Sequence, residues 1–191
     1  MALWRTTPTT SPTPLPRPHP TSAEGRTEHF FRAWTEDLYI SGFVVGSARL
    51  SDVLNEREPL KVQQPKIHGL RSAGWPTRPD GDVVIDPFDL EFVLGHASTS
   101  SDADQLAKRI HKVHYPVLIE GQNFEIVGTM HVFPGNAPEY AVHRSSQLFL
   151  PITEPSVRRD QRLVSDRYTQ VVLVNRYAVR NIRQLDTPAR H

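Results

Sequence analysis

Histidines and carboxylates are the first places to look for chemistry here, because the chain holds no cysteine. Disulfide scaffolds, zinc thiolates and thiol catalysis are excluded at once. His111 and His114 stand three residues apart, which on a helix would put both imidazoles on one face within reach of a metal. His131 and His143 are the candidates for a third ligand, and no carboxylate is fixed beside the pair. Ligand sites gather more than two members, and histidines near a helix end more commonly face the helix dipole. Asp86, Asp89 and Glu91 surround a turn and have the residue types of an acid–base pair. Alternation along the following strand puts Asp89 and Glu91 on its outer face, where solvated carboxylates belong. A nucleophile elbow, a phosphate-binding glycine loop, a dinucleotide fingerprint and the HExxH pattern are all missing. The expectation is no catalytic residue, no cofactor and no metal.

A second concentration is basic and aromatic. Arg176, Arg180 and Arg183 flank Tyr177, with Arg158, Arg159 and Arg162 shortly before them. From Pro116 onward the chain has nine arginines, no lysine and seven acidic residues. Arginine brings a planar fork that stacks on rings and grips carboxylates or phosphates in pairs of bonds. Such a cluster can stack bases beside a basic groove or anchor a protein contact. A net charge of +1 and only 8% aromatics favour the protein contact.

These side chains need elements to hold them. Residues 1–26 form a threonine- and proline-rich arm carrying six of the 17 prolines, suited to extended polyproline II rather than a central strand. The arm is either a loose tail or a strap on a neighbouring subunit, anchored by Trp4 and Leu15. Phe30, Phe31 and Trp34 give Thr27–Trp34 the aromatic face of a short helix, read as a plug against the first β-domain. Residues 38–45 form a strand apolar on both sides, 50–55 a helical turn, and 59–67 a strand. Residues 82–85 and 88–94 then read as a hairpin about Asp86-Pro87. Residues 98–114 carry the clearest helical signal, with serine and aspartate at the start, bases at the end and Pro116 as the stop. A strand over 124–133 follows, then a loop through Pro138. A strand over 147–157, holding Pro151 and Pro155, reads as an edge or an end of pairing. Residues 168–174 and 177–185 read as a closing hairpin.

Across the helix the chain rhymes with itself. Gly42 aligns with Gly128, Pro65 with Pro155, Ile67 with Val157, Asp86 with Asn175, Phe88 with Tyr177 and Val93 with Ile182, with element type kept in order. The second stretch has Pro138-Glu139-Tyr140 where the first has its Leu50–Asn55 turn. In each half this order, with its helical turn, its Leu148–Thr153 type of strand and its Val172–Tyr177 hairpin, resembles tandemly duplicated small β-domain proteins of bacteria whose function is unknown. The resemblance covers 38–94 and 124–185 and implies a fold but no activity.

The expected fold is mainly β: two tandem small β-domains, barrel- or sandwich-like, each with a short helical turn, joined by one α-helix and preceded by the extended arm. The expected boundaries are 1–26 for the arm, 27–97 for the first domain, 98–115 for the helix, 116–186 for the second domain and 187–191 for a tail. The two domains are expected to pack face to face. No stretch has the apolar core of a secretory signal or the length of a membrane span, so a cytoplasmic protein outside the membrane is the default. The expected function is a non-enzymatic adaptor or structural subunit that binds other proteins or further copies of itself, the arm contacting a neighbour. Trp4, Leu15, Phe30, Phe31, Trp34, Arg176, Tyr177, Arg180 and Arg183 are the expected contact residues. The alternative is single-stranded nucleic-acid binding through the arginine-rich second half.

Overall fold

The computed structural model describes residues 27–46, 49–71, 77–95 and 112–186. The arm of 1–26 with Trp4 and Leu15, the tail 187–191 and the helix expected up to His111 lie outside these residues. The described chain is mainly β and runs β1 (Thr27–Trp34), β2 (Leu38–Gly46), α1 (Leu50–Asn55), β3 (Leu60–Gly69), β4 (Val83–Ile85) and β5 (Phe92–Gly95). It continues as β6 (Val113–Glu120), β7 (Phe124–Val132), α2 (Pro138–Arg144), β8 (Phe149–Arg159), β9 (Arg162–Leu163), β10 (Val171–Asn175) and β11 (Asn181–Gln184). Single 3-10 turns, Pro87–Asp89 and Arg176–Ala178, separate β4 from β5 and β10 from β11.

All strands belong to one open antiparallel sheet, ordered β11-β6-β7-β8-β10-β5-β1-β2-β3-β4, with β9 on β8. The halves are therefore hydrogen-bonded through β5 and β10, Leu173 opposite Val93, rather than meeting only by packed faces as expected. The reason lies in these two strands. Phe92 and Leu94 point into one core and Val93 into the other, while Val172 and Val174 oppose Leu173 in the same way. A strand apolar on both sides belongs in the interior of a structure, with both faces covered.

Three local expectations give way. Thr27–Trp34 is a strand, because His29, Phe31 and Ala33 turn inward at period two and β2 and β5 pair on either side of it. Val113, His114 and Pro116 belong to β6, opposite Val132, His131 and Thr129, so a helix cannot extend to 115. Neither expected hairpin forms, since β4 pairs with β3 and β5 with β1, while β10 pairs with β8 and β11 with β6. The side chains of Asp86 and Asn175 accept from the amides of Phe88 (2.9 Å) and Tyr177 (3.0 Å). Each thereby closes one 3-10 turn that carries the chain onward instead of folding it back.

Pairing repeats across the molecule. The register of β2 on β3 shifts between Ser41 and Phe43, and that of β7 on β8 between Val127 and Thr129. A Cβ on Gly42 would lie 2.7 Å from the Gln63 carbonyl, and one on Gly128 would lie 2.9 Å from that of Thr153. Both bulges bring backbones too close for a side chain. Gln64 (φ 49°) and Glu154 (φ 50°) hold the matching left-handed positions. The strand with Pro151 and Pro155 is not an edge, for β8 lies between β7 and β10. Its pairing with β10 ends at Thr153, so Pro155 does fall where that ladder stops.

Candidate functional site

Asn55, at the end of α1, anchors one side of the site. Its side chain accepts from the Phe149 amide (2.8 Å) and donates to the Ser51 carbonyl (2.7 Å), docking α1 on the start of β8. That contact sets Arg57, held at φ 62°, beside the 145–147 loop, where its guanidinium donates to the Ser146 carbonyl. Arg176 grips the same loop from the second 3-10 turn through the Ser145 carbonyl. Two arginines from opposite halves thus hold one loop.

The Arg176 guanidinium also donates to the Tyr177 hydroxyl (2.5 Å) and lies 4.5 Å from its ring centre. That hydrogen bond, then the charge of Arg176 and more weakly that of Arg57, pull the exposed phenol below its ordinary value. Tyr177 stacks on Phe88 of the first 3-10 turn with ring centres 6.2 Å apart, and both rings are open to solvent, at 64% and 48% exposure. Beneath them Asn175, 1% exposed, donates to the carbonyls of Leu90 (2.8 Å) and Phe88 (3.3 Å), tying the two turns together.

On its other side the 145–147 loop borders a cleft of about 500 Å³ between α2, the end of β7 and the start of β8. Its cations are Lys112 and Arg144, the His131 imidazole lines it with them, and among the described residues none that lines it is acidic. Lys112 lies over the Phe133 ring and Arg144 over the Tyr140 ring, at 5.5 and 4.8 Å. The Thr153 hydroxyl lies 3.3 Å from the Thr129 carbonyl and is hydrogen-bonded to His131 Nε2 (2.8 Å). Burial, then His114 with its ring 4.2 Å away, then Lys112, push the His131 imidazole below its ordinary 6.5, against a weak pull from Glu154. Among the described residues no three histidines, cysteines or carboxylates gather as a metal site would need. Such a cleft suits an anionic ligand with apolar or flat parts, met by cations already stacked on rings.

The expected contact residues are scattered. Phe31 and Trp34 are spent in the cores, Trp34 stacked 4.8 Å from Phe92, so neither reaches a partner. Phe30 lies outside on β1 against Phe43. Arg176 and Tyr177 are in the site, whereas Arg180 donates to Gln122 (2.6 Å) and Arg183 lies exposed on the outermost strand β11. Arg159, by contrast, is buried in an ion pair with Glu91 and donates to the Glu36 carbonyl (2.7 Å). Sequence reading missed Arg57, Phe88, Lys112, Phe133, Tyr140 and Arg144. Pro138 at a first helical position, with Tyr140 and Arg144 one turn apart and bases at the end, was the signal for α2 and its ring–cation pair. Comparison with family models, with curated proteins and with solved structures found no match for this chain.

Proposed function

We propose that the chain is a non-enzymatic binding subunit of a larger assembly, built from two copies of one small β unit, that takes hold of a partner protein through the Phe88–Tyr177 pair and the adjoining cleft. The stacked, exposed rings of Phe88 and Tyr177 carry the reading. Two large aromatics beside arginines at the surface have the composition of an interface anchor, and their turns are braced from below by buried Asn175. The cleft, basic and without acids among the described residues that line it, accepts an acidic segment of that partner. The arm with Trp4 and Leu15, and kinship with the small β-domain proteins of bacteria, belong to the same proposal. Purifying the tagged protein beside its Phe88→Ala/Tyr177→Ala form tests it. A discrete partner lost from the variant, whose melting temperature is unchanged, supports the reading; the same partner retained at full yield overturns it.

The cleft also favours a second reading, single-stranded nucleic acid, because cations over exposed rings, with no acid among the described lining residues, resemble a stacking groove. It predicts binding of a labelled oligonucleotide that weakens steeply with salt and is lost in Arg144→Ala/Arg176→Ala. Salt-insensitive or absent binding removes it.

A further inference from the structure

The two outer strands of the sheet occupy the same places in their halves as the two strands that join the halves. β4 lies on β3, Leu60 opposite Ile85 and Val62 opposite Val83, as β10 lies on β8, Leu150 opposite Val174 and Ile152 opposite Val172. β11 lies on β6, Ile119 opposite Ile182 and Val117 opposite Gln184, as β5 lies on β1, Ala33 opposite Val93 and Phe31 opposite Gly95. β10 and β5 pair with each other, while among the described residues no strand pairs with the outer edge of β4 or β11. Each molecule thus presents, at its two ends, both sides of a junction that it has already made once inside itself.

We infer that β4 of one copy pairs with β11 of a second copy in the manner of β10 with β5. Carrying the internal register outward sets Asp82 against Gln184, Val83 against Arg183, Val84 against Ile182 and Ile85 against Asn181. Backbone, side chains and charge agree with it. The Asn175 amide donates to the Glu91 carbonyl (2.9 Å), so alternation turns the Leu173 amide the same way, toward β5. Val84 stands in the place of Leu173 and turns its amide to the open edge. Val84 is 67% exposed where Leu173 is 2% exposed, an apolar side chain waiting for cover. The register brings Asp86 opposite Arg180, as Asn175 is opposite Glu91; the like-charged Asp80 and Asp186 meet beyond both strands.

The contact between copies is more polar than its internal template. Asn181 and Arg183 replace Phe92 and Leu94, and Gly69 stands where Arg159 forms its buried pair with Glu91. Polar edge side chains and strands of only three and four residues limit the affinity, so the association is reversible and concentration-dependent. The two surfaces differ, hence the contact is heterologous and its repetition gives a ring if the rotation closes and a filament if it does not. This inference rests on the reading of the chain as an assembly subunit but uses another surface. Phe88→Ala/Tyr177→Ala leaves the edge contact intact, and an edge variant leaves the aromatic site intact, so either reading can fail alone.

The test is the mass of the full chain in sedimentation equilibrium over a wide concentration range, for wild type, Val84→Pro and Arg180→Glu. Proline at an outward-facing edge position is tolerated within the chain but removes the donor a second copy needs; glutamate at 180 repels Asp86. Wild type grows past dimer with concentration, each variant stays monomeric, and an equimolar mixture of the two stops at dimer, because each retains one sound edge. In case a variant fails to fold, Val83→Cys/Arg183→Cys in this cysteine-free chain supplies a second readout. Mild oxidation yields a ladder of disulfide-linked multimers, and either single cysteine yields none beyond dimer. Wild type monomeric at every concentration, variants that associate like wild type, or a double-cysteine form without a ladder overturns the inference.

Discussion

Arg159 and His131 carry the sharpest consequences at the level of single residues. Arg159 is 4% exposed, and its partner Glu91 is mostly buried, so removing the cation alone strands a carboxylate away from water. Arg159→Met is expected to lower unfolding free energy by about 3 kcal/mol, while Arg159→Met/Glu91→Gln recovers most of it. Chemical denaturation of both variants checks this; a double variant as unstable as the single would mean that the bond to the Glu36 carbonyl dominates. His131 has a folded value below 6.5, its ordinary value, so the unfolded chain binds more protons as pH falls through 6.5. Its contribution is complete above 6.5 and is lost as pH drops toward the folded value. The melting temperature should fall across that window and fall less in His131→Asn, with an NMR titration placing the imidazole below 6.5. Sequence could name neither role. The burial of Arg159 depends on Glu91 and Glu36 from the other half, and the state of His131 on its burial in the sheet and on the His114 ring of the neighbouring strand.

The 3-10 turns show, at the level of elements, what a sequence holds and what it hides. Asp86 with Phe88 and Asn175 with Tyr177 were legible as matched turns, since a short polar cap before Pro87 or Arg176 has a local cause. Whether such a turn returns the chain to its own strand or sends it to another is decided by which strands are already paired, and no local pattern records that. The same limit explains β1, whose Phe30, Phe31 and Trp34 fit one helical face although the strand divides them between its two sides. The matched glycines were legible too, because a bulge that brings backbone within 2.7–2.9 Å of a Cβ admits little else. The two caps differ in burial, which gives a prediction. Asn175→Ala removes the cap and its bonds to the buried Leu90 carbonyl and to the Phe88 carbonyl, and should cost about 2 kcal/mol or more. Asp86→Ala, exposed, should cost about 1 kcal/mol, the usual loss of a cap. Equal losses in thermal or denaturant unfolding would show that the bonds of Asn175 to Leu90 and Phe88 contribute nothing beyond capping.

Both cores draw on both halves, and this decides how the whole molecule comes apart. Trp34, Phe92 and Leu94 fill the core under β6, β7 and β8, while Leu148, Phe149 and Leu173 fill the core under β1, β2 and β3. Neither half can open without emptying part of the other, and β5 with β10 would lose a ladder at the same moment. Two domains merely strung together would melt in two steps, each sensitive to its own substitutions. Here a single cooperative transition is expected, with calorimetric and van't Hoff enthalpies equal. Phe92→Ala and Leu173→Ala, which touch opposite cores, should each shift that one transition whole, by about 3 kcal/mol or more. Two resolved transitions, or a substitution that moves only one of them, would mean that the β5–β10 pairing is too weak to couple the halves. It would also weaken the edge contact between copies, which repeats this junction with fewer apolar side chains.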